Sequence, residues 1–382
     1  MSTQWFTAPQ IFDGQSLLQG VAIRRQNDRI TDVALLTDLP AGTPVQSTGA
    51  LITPGFIDLQ VNGGGDVLLN QTPSATGIAT IAAAHRRFGT VAILPTLITD
   101  APDVLDRAAE AALAARHQHG ILGLHIEGPH ISLARRGTHA AHLVRPLDAR
   151  TIAIVRHLRS TGLPVMITIA PEAVQPGQIA ELVSTGAVVS LGHTDSDAAT
   201  IRRALGEGAG CFTHLYNAMS PMLSRAAGTT GAAINSTAYC GIICDGIHVA
   251  DEMVALAIRA RPVADHIFLV SDAMPTVGGS DSFTLYGQTI QLRNGQLVNQ
   301  EGSLAGAHVT MAASVQRLVN LLGIDLQTAL RMAISTPARV IGHDLTRIFA
   351  GGPAADILTL DSDLTVTGTL GQIPDSRALQ AK

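Results

Sequence analysis

Lysine and aromatic residues are nearly missing from this chain of 382 residues. Its one lysine is the last residue, Lys382, so the sequence offers no buried amine for the Schiff-base chemistry of a sugar isomerase or aldolase. Aromatic residues make up 3% of the chain and the net charge is -5. Neither the stacking platforms nor the basic field of a nucleic-acid-binding protein is therefore expected.

Cysteine and long apolar runs are scarce as well. Cys211, Cys240 and Cys244 are odd in number and lack a CxxC spacing, which favours a reducing cytoplasm over a disulfide framework. No apolar run reaches the roughly 18 residues of a membrane span. The first residues show neither the basic nor the apolar region of a secretion signal. We therefore expect a cytoplasmic protein without a membrane partner.

The rest of the composition is that of a large globular enzyme. Hydrophobic residues make up 46% of the chain and charged residues 14%, which is enough to fill a sizeable core. Short apolar runs alternate with alanine-rich helical stretches, a pattern that indicates right-handed crossovers and a parallel sheet. Eight such runs predict an α/β fold with a closed (β/α)8 TIM-type barrel. The runs are Leu51–Val61, Thr90–Ile98, Ile121–Ile126, Pro164–Ile169, Ala187–Leu191, Gly210–His214, Tyr239–Cys244 and His266–Val270.

The two ends of the chain have a different pattern. Residues 1–50 and 345–382 hold short strand-like pieces broken by turn residues, and we predict that both termini form one small β-sandwich-like domain beside the barrel of residues 51–344. Asn294-Gly295 indicates a hairpin turn. The stretch from Tyr216 to Thr237 is rich in glycine, serine and asparagine, and we predict a long loop there.

Three polar residues that close apolar runs suggest a metal site. In such barrels the active site lies at the carboxyl ends of the strands, and Glu127, His193 and His214 each lie at such an end. One carboxylate and two imidazoles suit a catalytic zinc ion with an open position, although iron, manganese or cobalt would accept the same ligands. The alternative is that each is an ordinary hydrogen-bonded polar residue near a strand end.

Further candidates lie on the same rim. Asp272 follows a buried apolar run, where a carboxylate is costly unless it faces a polar site; it could act as a base towards metal-activated water, or simply cap the next loop. His139 and His248 could bind a substrate oxygen or be surface histidines. Arg225 could meet an anionic group or remain solvated.

Several sequence blocks together resemble the N-acetylglucosamine-6-phosphate deacetylases of the amidohydrolase superfamily. They run in the family's order and span essentially the whole chain, and their combination is much more specific than any single block. The blocks are PGFIDLQVNGGG (Pro54–Gly65), HIEGPH (His125–His130), RRGTH (Arg135–His139), LGHTDSD (Leu191–Asp197), THLYNAM (Thr213–Met219), CGIICDGIHV (Cys240–Val249) and LVSDAM (Leu269–Met274).

This resemblance implies a role for each candidate. Glu127, His193 and His214 become ligands of one divalent metal ion per subunit, with Zn²⁺ expected first and Fe²⁺, Mn²⁺ or Co²⁺ as alternatives. Asp272 becomes the general acid/base, and His139 lies near the acetyl carbonyl group. The implied contacts with an amino sugar phosphate are His248 to the sugar, the backbone of Asn217 and Ala218 to the phosphate, and Arg225, which can serve the neighbouring subunit of a homodimer.

The resemblance does not imply a second metal ion, and it does not determine which sugar epimer is the substrate. Many members of the superfamily carry an HxH pair after the first strand for a second metal ion, but here the positions hold Gln60 and Asn62, which are poor ligands. The implied reaction is hydrolysis of N-acetyl-D-glucosamine 6-phosphate to D-glucosamine 6-phosphate and acetate. The galactosamine epimer remains an alternative substrate, and a non-catalytic sugar-phosphate-binding barrel is a further one.

Overall fold

A computed structural model describes residues 3–299, 302, 304–343 and 351–374 of the chain. The small domain predicted from both termini therefore lies partly outside the described residues, as does Lys382. None of the helices in the described part of the chain is both long and apolar enough to cross a bilayer.

The described residues form strands and α-helices that alternate through the middle of the chain. The strands are β1 Thr3–Thr7, β2 Gln10–Phe12, β3 Leu17–Leu18, β4 Val21–Gln26, β5 Arg29–Leu35, β6 Val45–Ser47, β7 Leu51–Pro54, β8 Phe56–Val61, β9 Gly63–Gly64, β10 Val67–Leu68, β11 Thr90–Ile98, β12 Leu124–Glu127, β13 Val165–Ile169, β14 Val188–Leu191, β15 Cys211–Phe212, β16 Tyr239–Ile242, β17 Ile267–Leu269, β18 Ser282–Leu285, β19 Gln288–Arg293, β20 Gln296–Val298, β21 Ile357–Leu360 and β22 Val366–Thr369. The helices are α1 Ala75–Arg86, α2 Pro102–Ala115, α3 Ala149–Ser160, α4 Gln178–Ser184, α5 Ala198–Gly206, α6 Gly228–Ile234, α7 Asp251–Ala260, α8 Met311–Asn320, α9 Leu326–Ala333 and α10 Ser335–Val340.

Eight parallel strands form the predicted barrel. Within the described residues, β8 and β11 to β17 pair in chain order in one sheet. The sheet closes where the ends of β8 and β17 meet: the Asp272 amide donates to Gln60 O (3.0 Å) and the Asn62 amide to Ala273 O (2.9 Å). Strands covered on both faces are apolar throughout, which is why the runs of the sequence located them. The structure confirms the α/β barrel with an additional β-domain.

The first apolar run of the sequence is two strands that serve different parts of the fold. β7 pairs with β2 and β21, whereas β8 pairs with β11 of the barrel. Between the two strands lies Gly55, where an added Cβ atom would stand 2.2 Å from a methyl carbon of Val91. A residue with a side chain cannot fit at this position without movement of Val91, so glycine allows the chain to pass from one sheet to the other.

Strands from both ends of the chain form two further sheets beside the barrel. One has the order β5-β4-β1-β6 and the other the order β22-β21-β7-β2-β3. Buried side chains from both sheets pack in one cluster that includes Phe6, Ile23, Ile11, Ile52 and Ile357. Apolar packing between two sheets is what makes this part of the chain sandwich-like.

The predicted loop from Tyr216 to Thr237 is wrong over part of its length, because it contains α6. All seven residues of Gly228–Ile234 are buried. Gly228 has φ of +58°, and an added Cβ atom would stand 2.3 Å from Pro221 O. Glycine and threonine are weak helix formers, so this helix depends on its burial, which local sequence preference does not show.

The predicted hairpin lies over the carboxyl ends of the barrel strands. β19 and β20 are joined at Asn294 and Gly295, whose φ values of +51° and +79° fit a two-residue hairpin turn. β18 adds a third strand to this sheet. Its apolar face packs on residues at the rim, including Ile98 and Met274.

His85 on α1 gives the folded protein a dependence on pH. Its ring is almost fully buried and its Nε2 atom donates to Gly63 O (2.9 Å). Burial lowers the pKa of His85 to about 4, against 6.5 for an exposed histidine. Between these two pH values the unfolded chain binds a proton here that the folded chain does not. We therefore expect this residue to reduce the free energy of unfolding by about 1.4 kcal/mol for each pH unit of acidification.

A glutamine at this position tests that expectation. Glutamine can donate the same hydrogen bond and does not titrate. In His85→Gln the free energy of unfolding should therefore fall by about 1.4 kcal/mol less for each pH unit of acidification than in the wild type. The control is His117→Gln, because His117 is exposed on the surface. Urea unfolding from about pH 7 to about pH 4 measures the slopes. Equal slopes for the two variants would contradict the assignment.

Candidate metal centre and active site

A cavity of about 170 Å³ opens at the carboxyl ends of the barrel strands. Loops from six different barrel strands contribute to its walls, and the three-stranded sheet stands beside it. The lining residues are Asn62, Ile98, Glu127, Gly137, Thr138, His139, His193, His214, Asn217, Ala218, Ile243, His248, Asp272, Met274, Leu304 and Gly306.

Glu127, His193 and His214 converge on one point in this cavity. Glu127 Oε1 lies 3.2 Å from His193 Nε2 and 3.0 Å from His214 Nε2, and the two Nε2 atoms are 3.0 Å apart. Ligand atoms about 2.0–2.1 Å from a tetrahedral zinc ion stand about 3.3 Å from one another. The three atoms therefore surround a position that a small shift would open to a divalent ion.

The hydrogen bond that orients His193 also fits a metal ion. His193 Nδ1 donates to the backbone oxygen of Arg135 (2.8 Å), which leaves the lone pair of Nε2 pointing at the cluster. Such a backbone partner is the usual way of fixing the tautomer of a metal-bound histidine. The imidazoles act on the carboxylate too: although burial opposes its ionisation, the neighbouring His193 and His214 hold the pKa of Glu127 well below its ordinary value.

Three of the ionisable residues at the cavity have a strained backbone. His193, His214 and Asp272 have φ values of +47°, +32° and +52°. Residues other than glycine rarely adopt this left-handed conformation, which costs about 1–3 kcal/mol and persists only where the surrounding structure enforces it. The strain turns each side chain inward from the end of its strand.

Asp272 lies beside the cluster, and amide groups hold it. Asn62 Nδ2 donates to Asp272 Oδ1 (2.7 Å), and Gln60 Nε2 donates to the same oxygen (3.1 Å). The Gln60 amide also donates to both oxygens of Glu127 (3.1 Å). Burial and the neighbouring Glu127 carboxylate raise the pKa of Asp272 to about 6. Asp272 is thus a carboxylate near neutral pH that can also hold a proton, as a general acid/base requires.

His139 is oriented by a residue that sequence reasoning did not identify. Thr99 Oγ1 lies 2.6 Å from His139 Nδ1, and the His139 ring lies 4.4 Å from the ring of His193. Burial and the charge of His193 lower the pKa of His139 to about 3, so its imidazole is neutral. If the Thr99 hydroxyl donates to Nδ1, the proton of His139 resides on Nε2 and is available to an oxygen in the cavity.

His248 is held by a carboxylate on its own loop, which accepts a hydrogen bond from the ring. Asp245 Oδ2 lies 2.7 Å from His248 Nδ1, and Asp245 Oδ1 accepts the backbone amides of Ile247 and His248 (2.8 Å each). Burial opposes ionisation of Asp245, but the hydrogen bond from His248 keeps its pKa below the ordinary value. This leaves Nε2 of His248 for the cavity.

The remaining predicted residues divide into two groups. Asn217 and Ala218 line the cavity, and Ala218 has φ of +51°. Arg225 is exposed and does not line the cavity of its own chain. Within a single chain the structure therefore brings together all the predicted site residues except Arg225.

Sequence reasoning missed two residues that do not line the cavity but contact residues near it, Thr99 and Glu172. Thr99 directly follows β11, so the rule that polar residues at strand ends form the site would have found it. Glu172 lies in a short turn after β13 and carried no such signal, since its contacts are made with residues more than twenty positions away.

Known proteins share this chain's sequence and fold. The model of the amidohydrolase family matches residues 51–378. An N-acetylgalactosamine-6-phosphate deacetylase of Shewanella sp. (strain ANA-3) is 41% identical over 84% of this chain and 81% of its own length. An N-acetylglucosamine-6-phosphate deacetylase of Haemophilus influenzae is 31% identical over 94% of this chain and 96% of its own length.

A solved structure agrees with these relatives. The crystal structure of N-acetylglucosamine-6-phosphate deacetylase from Pasteurella multocida superposes with a TM-score of 0.88 at 32% identity, covering 96% of this chain and 97% of that one. Barrel, additional β-domain and sequence thus match over nearly the whole length. The chain belongs to the amidohydrolase family, and its likeness to the amino-sugar-6-phosphate deacetylases extends through both parts of the fold.

Proposed function

We propose that the protein hydrolyses N-acetyl-D-glucosamine 6-phosphate to D-glucosamine 6-phosphate and acetate. The observation that carries the proposal is the convergence of one carboxylate and two imidazoles at 3.0–3.2 Å, with Asp272 beside them in the same cavity. A non-catalytic sugar-phosphate-binding barrel has no need for such a base. The relatives named above are deacetylases of phosphorylated amino sugars, which supports this substrate class.

The metal site that we propose holds one divalent ion per chain. Glu127, His193 and His214 would bind it, with Zn²⁺ preferred and Fe²⁺, Mn²⁺ or Co²⁺ able to use the same ligands. A bound ion of this kind polarises a carbonyl group and lowers the pKa of water towards neutrality. Gln60 and Asn62 donate hydrogen bonds to the two carboxylates, a role that leaves no ligand for a second ion at these positions.

The side chains of the cavity supply proton transfer and orientation. His139 donates from Nε2 to the acetamide oxygen and stabilises the negative charge that develops there. Asp272 removes a proton from the attacking water as the new C–O bond forms, and returns it to the sugar nitrogen as the C–N bond breaks. The products are acetate and the amine. Proton transfer by a positioned group typically contributes about 10²–10⁴-fold to the rate.

The sugar phosphate would be held at the other side of the cavity. We assign a sugar hydroxyl to His248 and the phosphate group to the backbone of Asn217 and Ala218. Arg225 would reach the phosphate from a second copy of the chain, and we therefore propose a homodimer. Met222 and Leu223, on the same loop, are 44% and 62% exposed, and burial in a subunit contact would remove this apolar surface from water.

The second candidate substrate is N-acetyl-D-galactosamine 6-phosphate. It is favoured by the relative from Shewanella, which is 41% identical and is named for that epimer. The two sugars differ in the configuration of one hydroxyl group, and both place the acetamide and the phosphate alike. The same metal site and the same base would serve either one.

Free acetate, measured from a panel of substrates, tests these proposals. Zinc-loaded protein is incubated with N-acetylglucosamine 6-phosphate, with its galactosamine epimer, and with unphosphorylated N-acetylglucosamine. We expect release from the phosphorylated glucosamine at a kcat/KM at least about a hundredfold above that of the unphosphorylated sugar, since loss of the phosphate contacts costs several kcal/mol. A higher rate with the galactosamine epimer would select the second candidate. No release from any of the three would overturn both.

The compartment that we propose is the cytoplasm. Cys211, Cys240 and Cys244 are all free thiols and all buried in the described structure. Free thiols persist in a reducing environment, which supports this location.

A further inference from the structure

Glu172 lies outside the cavity in the turn that follows β13, and three hydrogen-bond donors converge on it. Glu172 Oε2 accepts the hydroxyl groups of Thr194 and Ser196, each at 2.6 Å. Glu172 Oε1 accepts the backbone amide of Asp195, also at 2.6 Å. Hydrogen bonds to an ionised carboxylate are shorter and stronger than those between neutral groups. This carboxylate therefore fixes three consecutive residues of the loop after β14.

The segment that Glu172 holds connects the metal site to the proposed phosphate site. Thr194 directly follows His193 in the chain. The Thr194 amide donates to Ala218 O (3.0 Å), and the Ser220 amide donates to Thr194 O (3.0 Å). Ser196 is tied to the same segment, because Ser220 Oγ donates to Ser196 O (2.6 Å). Thr194 is thus joined to the metal ligand His193 through the chain and to Ala218 through a backbone hydrogen bond.

We propose that Glu172 is a positioning residue that holds His193 and the Asn217–Ser220 segment in one common arrangement. His193 and Ala218 both have positive φ values, +47° and +51°, which neither residue type adopts without support. Glu172 holds Thr194, through which both strained positions are linked. The statement about the phosphate segment rests on the proposed function, whereas the statement about His193 needs only the metal site.

The test compares Glu172→Ala with Glu172→Gln and with a matched control, Glu181→Ala. Glu181 is a partly exposed glutamate on α4 that pairs with Arg156 at the surface, 2.8 Å away. The dissociation constant of zinc is measured alone, by competition with a chromophoric chelator. We expect Glu172→Ala to raise it about tenfold, the lower end of the range found when partners of metal ligands are removed. Glutamine keeps the same length but only one of the two acceptor oxygens, so Glu172→Gln should have a smaller effect, about threefold.

Steady-state kinetics at saturating zinc supplies the second measurement. Because Asp272 and His139 lie on other loops, we expect kcat of Glu172→Ala to stay within about threefold. KM should rise about tenfold, since part of the binding free energy must now order the Asn217–Ser220 segment. A purely structural role would lower the melting temperature without separating KM from kcat.

Each other outcome decides a part of the proposal. If the zinc dissociation constant and KM of Glu172→Ala match those of Glu181→Ala, the proposal is overturned, whatever the change in melting temperature. Weaker zinc binding with an unchanged KM would mean that Glu172 positions His193 but does not position the Asn217–Ser220 segment. Weaker zinc binding in a protein that releases no acetate at all would leave the support of His193 standing and refute the proposed function instead.

A second variant covers the case in which Glu172→Ala does not fold. Thr194→Val combined with Ser196→Ala removes the two hydroxyl donors and leaves the carboxylate in place. We expect the same direction of change in both constants, about threefold in each. Wild-type values for both constants in this double variant would overturn the proposal.

Discussion

Replacing Asp272 with asparagine should lower kcat about 10³–10⁴-fold and leave zinc binding within about threefold of wild type. Asparagine has the same shape, and its carbonyl oxygen can still accept the amide hydrogens of Asn62 and Gln60, which now bind Asp272 Oδ1 at 2.7 and 3.1 Å. It cannot take up a proton from water or return one to the leaving amine. The expected loss is therefore that of the whole proton-transfer contribution.

The measurement is single-turnover acetate release at saturating zinc, with the zinc content determined on the same sample. The control is Asp106→Asn, because Asp106 lies on α2 at the outside of the barrel and pairs with Arg150 there. Activity of Asp272→Asn within about tenfold of wild type would assign the base elsewhere. A loss of zinc together with activity would mean that Asp272 acts as a ligand.

Much of the barrel could be predicted because its strands are buried on both faces. Such strands read as continuous apolar runs, and each of the eight predicted runs overlaps a barrel strand. The site residues could be predicted from a general rule: in a barrel of parallel strands, polar residues at the carboxyl ends of the strands face one common space. Glu127, His193, His214 and Asp272 were selected in this way, and the structure brings them together in one cavity.

What the sequence did not reveal depends on contacts between distant residues. α6 forms from poor helix formers because all its residues are buried against other elements. The division of the first apolar run into β7 and β8 depends on pairing with β21, about three hundred residues further along the chain. Neither feature has a local pattern, so neither hydrophobic periodicity nor turn residues could have shown it.

The finer geometry of the site was beyond the sequence for the same reason. Gln60 and Asn62 were recognised only as poor metal ligands, whereas their amide groups donate to both carboxylates of the site. Thr99 was overlooked although it follows β11, and its hydroxyl lies 2.6 Å from Nδ1 of His139. Roles that pass through a second residue require distances, which spacing along the chain does not supply.

The structure offers two alternative sets of ligands for the metal ion, and substitutions that distinguish the two sets should have large effects. Glu127 and His193 belong to both sets, and the third ligand is either His214 or His139. Ligand atoms of Glu127, His139 and His193 lie within 4.8 Å of one another. The His214 Nε2 atom is closer, at 3.0 Å from both Glu127 Oε1 and His193 Nε2. Thr99 also binds Nδ1 of His139, which suits a residue that donates from Nε2 to a substrate oxygen.

We therefore expect His214→Gln to lose zinc and His139→Gln to keep it. After dialysis, His214→Gln should retain less than about 0.1 equivalent of zinc per chain and lose at least about 10³-fold in kcat, because two ligands hold an open-site ion poorly. His139→Gln should bind one equivalent with a dissociation constant within about threefold of wild type. It should still lose about 10²-fold in kcat, because a flexible glutamine amide donates less well to the developing oxyanion than a fixed imidazole Nε2 atom. Zinc content, measured by atomic absorption beside acetate release, distinguishes the two. The reverse pattern, with zinc lost from His139→Gln and kept by His214→Gln, would move the metal to the other ligand set and leave His214 as the candidate for the carbonyl contact.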